Sequence, residues 1–109
     1  MPRFEQTSES LQRALAEIIN QTVELPGVLL TITWVDLSPD RKHAKVGVSV
    51  LPEKFYGTAL EKLRHRTGLV RQILAKRLKW RLVPGIQWEI DDRPKHVAEL
   101  EEVFKQIEL

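Results

Sequence analysis

No cysteine occurs among the 109 residues of this chain. That excludes disulfides, thiolate nucleophiles and cysteine metal sites together, and it suits a reducing cytosol. Long apolar runs are missing as well. Val28-Leu29-Leu30 is typical of the longest, far short of the roughly 20 residues that cross a bilayer. The opening MPRFEQTSESLQ lacks the apolar core of a signal peptide. No fixed-period repeat and no low-complexity segment is present.

Signals of catalysis are equally sparse. His43, His65 and His96 stand apart, without the i, i+4 partner of a zinc-binding helix. Ser8, Ser10, Ser38 and Ser49 lack the flanking glycines of a nucleophile elbow. Gly57 and Gly68 do not make a phosphate-cradling loop. Asp91-Asp92 reads as a turn that ends a strand and caps a helix; the rival reading is a carboxylate pair in a metal-dependent nuclease. The expectation is a protein without enzymatic activity, metal, cofactor, small-molecule substrate or membrane segment.

What the chain does have is a core-forming hydrophobic fraction of 42% and a charged fraction of 29%. Together with its length these fit one soluble domain over residues 1–109. Charge is distributed unevenly. Glu61 to Arg81 holds eight Lys or Arg against one acid, a net +7, whereas the whole chain carries +2. The remainder therefore sums to −5. A cationic element inside an otherwise acidic chain is the footprint of a protein that tracks phosphates.

Periodicity orders the elements. Leu11, Leu15, Ile18, Ile19 and Val23 lie on one helical face over residues 5–23, with Thr7 or Ser8 as the cap. Ser8 has Leu11, not an acid, three residues on, so no capping box is expected. Pro26-Gly27 ends the helix. Residues 28–37 read as a strand with Leu30, Ile32 and Trp34 on one face and Thr31, Thr33 and Val35 on the other. After the turn Ser38-Pro39-Asp40-Arg41, residues 42–51 alternate as a second strand, paired antiparallel with the first.

From Tyr56 the period is helical again, through Ala59, Leu60, Leu63, Leu69, Val70, Ile73, Leu74 and Leu78. Gly68 divides this stretch into two pieces, either as a kink or as the C-terminal cap of the first. Ile86, Trp88 and Ile90 make a third strand, parallel to the second across the helical crossover. Residues 95–108 read as a last, acidic helix. The sum is an α+β domain with helices on a three-stranded sheet. Trp34 and Trp88 are expected in the core. Trp80 either stacks on a base or packs over the helix–strand junction with its N–H at the rim.

Two segments also resemble a known family. TITWVDLSPDRKHAKVGVSV is similar to the strand-turn-strand of ribosome-binding factor A, and LRHRTGLVRQILAKRLKWRLVPGIQWEIDD to its second signature, a glycine-kinked helix followed by a Leu-Arg-x-x-Pro exit and a strand ending in Asp. The N-terminal helix and the Leu-Pro-Gly link fit as well. The resemblance implies a type II KH-like domain of order α-β-β-α-kink-α-β plus a C-terminal helix. It implies a monomeric, cytoplasmic, bacterial ribosome biogenesis factor. Such a factor binds 16S rRNA and the free, immature 30S subunit and supports 16S maturation, including its 5′ end, without catalysis.

In that family an Ala-x-Gly kink replaces the Gly-x-x-Gly loop of ordinary KH domains; here the position reads Arg66-Thr67-Gly68. The arginine would sharpen the break or add a phosphate contact. The RNA-binding residues expected are Arg64, Arg66, Gly68, Arg71, Lys76, Arg77, Lys79, Arg81, Lys42 and Lys45. The competing expectation is a protein-interaction module whose basic helix docks an acidic ribosomal or assembly protein.

Overall fold

The computed structural model describes residues 7–93. The last helix expected, over 95–108, lies outside the described residues. The first helix, α1, runs Ser8–Thr22 and buries Leu11, Ala14, Leu15, Ile18 and Ile19. Thr7 is its cap, and a capping box forms after all: Thr7 Oγ1 accepts from Ser10 N–H at 3.1 Å while Ser10 Oγ accepts from Thr7 N–H at 3.2 Å. A serine three residues past the cap does the work usually given to Glu or Gln. Gly27, at φ +76, makes the turn after the helix.

Strands β1 (Leu29–Leu37) and β2 (His43–Leu51) pair antiparallel. Strand β3 (Gly85–Ile90) pairs parallel to β2, giving the order β1-β2-β3. This is the α+β architecture and the pairing that periodicity implied. The helices cover one sheet face. Ala44, Val46, Val48 and Val50 of β2 and Trp88 of β3 point into that core. His43, Lys45 and Gln87 lie on the open face.

The faces expected for β1 need correction. A bulge between Ile32 and Trp34 leaves Thr33 without a partner residue. An extra residue reverses the alternation beyond it. Ile32 and Val35 are therefore both buried, and Trp34 is turned out of the core onto the open face, half-exposed. Its indole covers Gly47, its cross-strand partner; a Cβ on Gly47 would overlap the ring.

Helix α2 spans Tyr56–Leu78. The two pieces expected on either side of Gly68 are one uninterrupted helix. Leu63 lies before the glycine and Val70 and Leu74 after it, and all three are fully buried in one core. Each such side chain is worth about 1.5–3 kcal/mol on burial, which outweighs the ~1 kcal/mol a helical glycine costs. Val70, not Leu69, takes the core position, and Leu69 is 41% exposed. Lys79 ends the helix in the left-handed region, φ 54 and ψ 29. Among the described residues no helix is long and apolar enough to cross a membrane.

A candidate nucleic-acid interface along the second helix

Successive residues of a helix are rotated by about 100°, so positions i, i+4, i+7 and i+11 share a stripe. On α2 these are Arg64, Gly68, Arg71 and Ala75, and all four are exposed. A Cβ on Gly68 would meet nothing within 4 Å. The glycine is thus not demanded by packing inside the molecule. It leaves bare backbone between two arginines whose Cα atoms stand about 10 Å apart along the axis.

Two contacts set this stripe against β3. Thr67, next to Gly68, donates its hydroxyl to the Leu63 carbonyl at 2.8 Å and accepts the indole N–H of Trp88 at 2.8 Å. One turn on, Arg71 reaches the strand's lead-in: Nε donates to Pro84 O at 3.1 Å and Nη2 to Val83 O at 2.9 Å. Those carbonyls precede the β ladder, and the Arg71 guanidinium supplies donors to them. The stripe therefore runs along the seam between α2 and β3. Gly85 N–H donates to Lys42 O at 2.9 Å, which brings Lys42, at the hairpin end, to the same end of the seam.

The other expected contacts are scattered. Arg66 is two positions from Gly68, about 160° round the helix, so it does not share the glycine's stripe. It is half-buried, with Nε shielded from solvent and unpaired. Arg77 turns to α1 and pairs with Glu17, Nη1 to Oε2 at 2.7 Å. Lys45 stands on the open sheet face opposite Asp36. Lys76 is exposed on the flank beyond Gln72, and Lys79 and Arg81 are exposed where the helix gives way to the loop. The structure thus puts Arg64, Gly68 and Arg71 on one stripe, with the backbone of Lys42 held near its Arg71 end, and turns Arg66, Arg77 and Lys45 elsewhere.

Trp80 is 6% exposed within the core and its indole N–H is buried without a partner. Its N–H is not at the rim, and the ring offers no stacking surface. Asp91 is also buried, at 6% exposure. Its carboxylate accepts from Arg93 Nε and Nη2, both at 2.9 Å, from Thr33 Oγ1 at 2.6 Å, and from the Arg93 N–H at 3.1 Å. The Arg93 guanidinium first, then the Thr33 hydroxyl and the Arg93 amide, hold it well below the usual carboxylate range, against the opposing effect of burial. A carboxylate so held is a poor proton carrier, and the turn reading of Asp91-Asp92 is the one its geometry supports. Sequence reasoning missed the Thr67–Trp88 and Arg71–loop bonds. The only trace of them was polar residues on helical positions bordering the core.

The chain is similar to known proteins along most of its length. The family model described as Ribosome-binding factor A matches residues 3–104. The ribosome-binding factor A of Natranaerobius thermophilus is 38% identical, over 98% of this chain and 83% of its own length. That of Pseudomonas aeruginosa is 32% identical, over 95% of this chain and 84% of its own. Among solved structures, the crystal structure of ribosome-binding factor A from Thermus thermophilus superposes with a TM-score of 0.67 at 33% identity, covering 76% of this chain and 89% of that one. A model of the Thermus thermophilus protein, fitted into a cryo-EM map of a 30S complex, gives 0.68 at 32% identity, covering 78% and 91%. The α+β, KH-like fold is shared with these structures.

Proposed function

The chain belongs to the ribosome-binding factor A family, and from that premise we propose that it is a cytoplasmic, non-catalytic assembly factor. It binds 16S rRNA in the immature 30S subunit and assists late maturation of that RNA, including its 5′ end. One observation carries the reading: the exposed, bare backbone at Gly68, flanked by Arg64 and Arg71 along the α2–β3 seam.

The chemistry follows from the groups present. An RNA backbone can approach Gly68 closely because no side chain stands in the way. A guanidinium carries five N–H donors. Arg71 uses two on Pro84 and Val83, which locks its plane and leaves three toward solvent. A pre-oriented fork of this kind suits a phosphate better than a free lysine does. Lys42, Lys76, Lys79 and Arg81 are exposed cations outside the stripe and add to the positive field around it. The relatives support the partner, since one of the similar structures is a ribosome-binding factor A fitted into a 30S complex.

The test is binding to 30S subunits and to precursor 16S rRNA fragments as salt is raised. With about four phosphates engaged on single-stranded RNA, log K should fall with a slope of about −3 against log salt. An affinity indifferent to salt, or one retained on partners after RNA digestion, would refute the phosphate mechanism.

A further inference from the structure

Arg66 stands apart from the arginine stripe, and it lines a cavity of its own. This cavity, of about 290 Å³, is bordered by Thr58, Glu61, Lys62, His65 and Arg66 of α2. It lies on the other flank of the helix: Lys62 is turned about 120° and Arg66 about 160° from Gly68. Positions i, i+3 and i+4 are neighbours on a helix surface, so Lys62, His65 and Arg66 stand together. Lys62 and Arg66 are half-buried, and no acid lies three or four residues from either. Among the described residues neither makes an ion pair, and the Arg66 Nε is shielded from solvent without an acceptor.

Gathering like charges one turn apart destabilises a helix, and a shielded donor without an acceptor costs more still. A bound anion relieves both at once. Glu61, exposed on the rim, is the opposing charge; two cations against one acid still leave the lining positive before His65 is counted. The residues outside 7–93 are one source of an anion, since they include Glu5, Glu99, Glu101, Glu102 and Glu108. They also bring Arg3, Lys95 and Lys105, so five acids against three cations leave them at only −2. An RNA backbone carries a charge at every phosphate and no cation of its own. It also meets this cavity by continuity, because Arg64 and Gly68 lie on the same helix, one helix width of about 10–12 Å away.

We propose that Lys62, His65 and Arg66, with the Thr58 hydroxyl, form a second phosphate site that takes a backbone phosphate of the same RNA on the opposite flank of α2 from Gly68. The inference rests on the RNA-binding reading above and deepens it: α2 is gripped between two phosphates. Nε and one terminal nitrogen of Arg66 supply the fork, and Lys62 the neighbouring point charge.

The test uses the full chain, a precursor 16S rRNA fragment and whole 30S subunits. The double variant Lys62→Gln, Arg66→Gln should bind the fragment about tenfold more weakly, with the salt slope lowered by about 0.7, the share of one phosphate on a single strand. Thr58→Glu, at an exposed position on the rim, places a carboxylate in the site and leaves the half-buried cations alone, so it serves if the double variant unfolds. In the parent protein the Arg66 Nε–H resonance should shift on adding the fragment, and also on adding inorganic phosphate. The proposal is overturned if both variants bind the fragment as the parent does, or if that resonance does not respond. Arg64→Ala separates it from the wider reading. Binding weakened by Arg64→Ala alone keeps the RNA path and removes the second site, whereas indifference to all three variants removes both. Weaker binding to 30S with unchanged binding to the free fragment would overturn it in favour of an acidic protein. Glu5→Gln, Glu99→Gln, Glu101→Gln, Glu102→Gln and Glu108→Gln, combined in one chain, should leave the Arg66 resonance of the RNA-free protein in place. A shift there would overturn the proposal in favour of the chain's own carboxylates.

Discussion

The indole N–H of Trp88 donates to the hydroxyl of Thr67 at 2.8 Å, and that hydroxyl in turn donates to the Leu63 carbonyl. One oxygen thereby joins the middle of α2 to β3, at the residue next to the exposed Gly68. The bond satisfies the indole of a tryptophan that is 4% exposed and ties α2 to β3 beside the arginine stripe. A threonine hydroxyl turned back on its own helix is ordinarily a slight defect; here it is the attachment point.

Thr67→Val should leave the Trp88 N–H buried and unpaired, at a cost of about 1–3 kcal/mol. Thr67→Ser keeps the oxygen and should lose less than about 1 kcal/mol. Urea denaturation of both variants checks this. Equal stability of the valine variant and the parent would show that the bond does not hold the seam.

Gly68→Ala should raise stability by about 0.5–1 kcal/mol, since the new Cβ meets nothing and alanine is the better helix former. RNA affinity should move the other way, by about fivefold or more, if the backbone there approaches phosphates. Thermal melting and filter binding measure the two effects on one sample. A variant that is more stable and binds as well as the parent would remove Gly68 from the interface.

Arg64 and Arg71 should separate charge from architecture. Arg64→Ala, at an exposed site, should leave stability within about 0.5 kcal/mol and lower the salt slope of RNA binding by about 0.7. Arg71→Ala should weaken binding and also destabilise by about 1–3 kcal/mol, because Val83 and Pro84 lose their donors. Arg71→Lys keeps the charge but not the fork, so it should recover little of either. Full rescue by lysine would mean that charge alone matters at this position.

Asp91 should impose a pH dependence at the acid end. Its folded pKa lies below the unfolded value of about 3.9, so its contribution to stability is present above pH ~4 and is lost as pH falls below that. Asp91→Asn should therefore be less stable than the parent by about 2 kcal/mol at pH 7. The gap should narrow steadily below pH 4. A gap that stays constant down to pH 2 would show that the charge on Asp91 is not what stabilises the turn.

Much of this was legible in the chain. Alternation and helical period located α1, β1, β2, α2 and β3, because each buries one face and must repeat with its own geometry. A hairpin-length turn and a helical crossover then implied one antiparallel and one parallel pairing, which is what β2 makes with its two neighbours. The concentration of cation between Glu61 and Arg81 was visible as plain counting.

Single positions were harder. Trp34 was expected inward because the alternation was carried straight through Thr33; the bulge that reverses it depends on pairing with β2, not on local preference. Gly68 was expected to divide α2 because glycine is a poor helix former. What holds the helix through it is the burial of Leu63, Val70 and Leu74 against strands far away in sequence. Arg71 and Arg77 look alike in a charge count, yet one reaches the carbonyls of Val83 and Pro84 and the other Glu17.

The sequence by itself determined α1, β1, β2, α2 and β3, their order and the concentration of cation on one of them, since periodicity and charge are properties of short segments. Only the tertiary structure decided which cations converge on one surface and which are turned to neighbouring elements. That choice is made by hydrogen bonds and ion pairs between residues 12 to 60 positions apart, for which no local pattern is required.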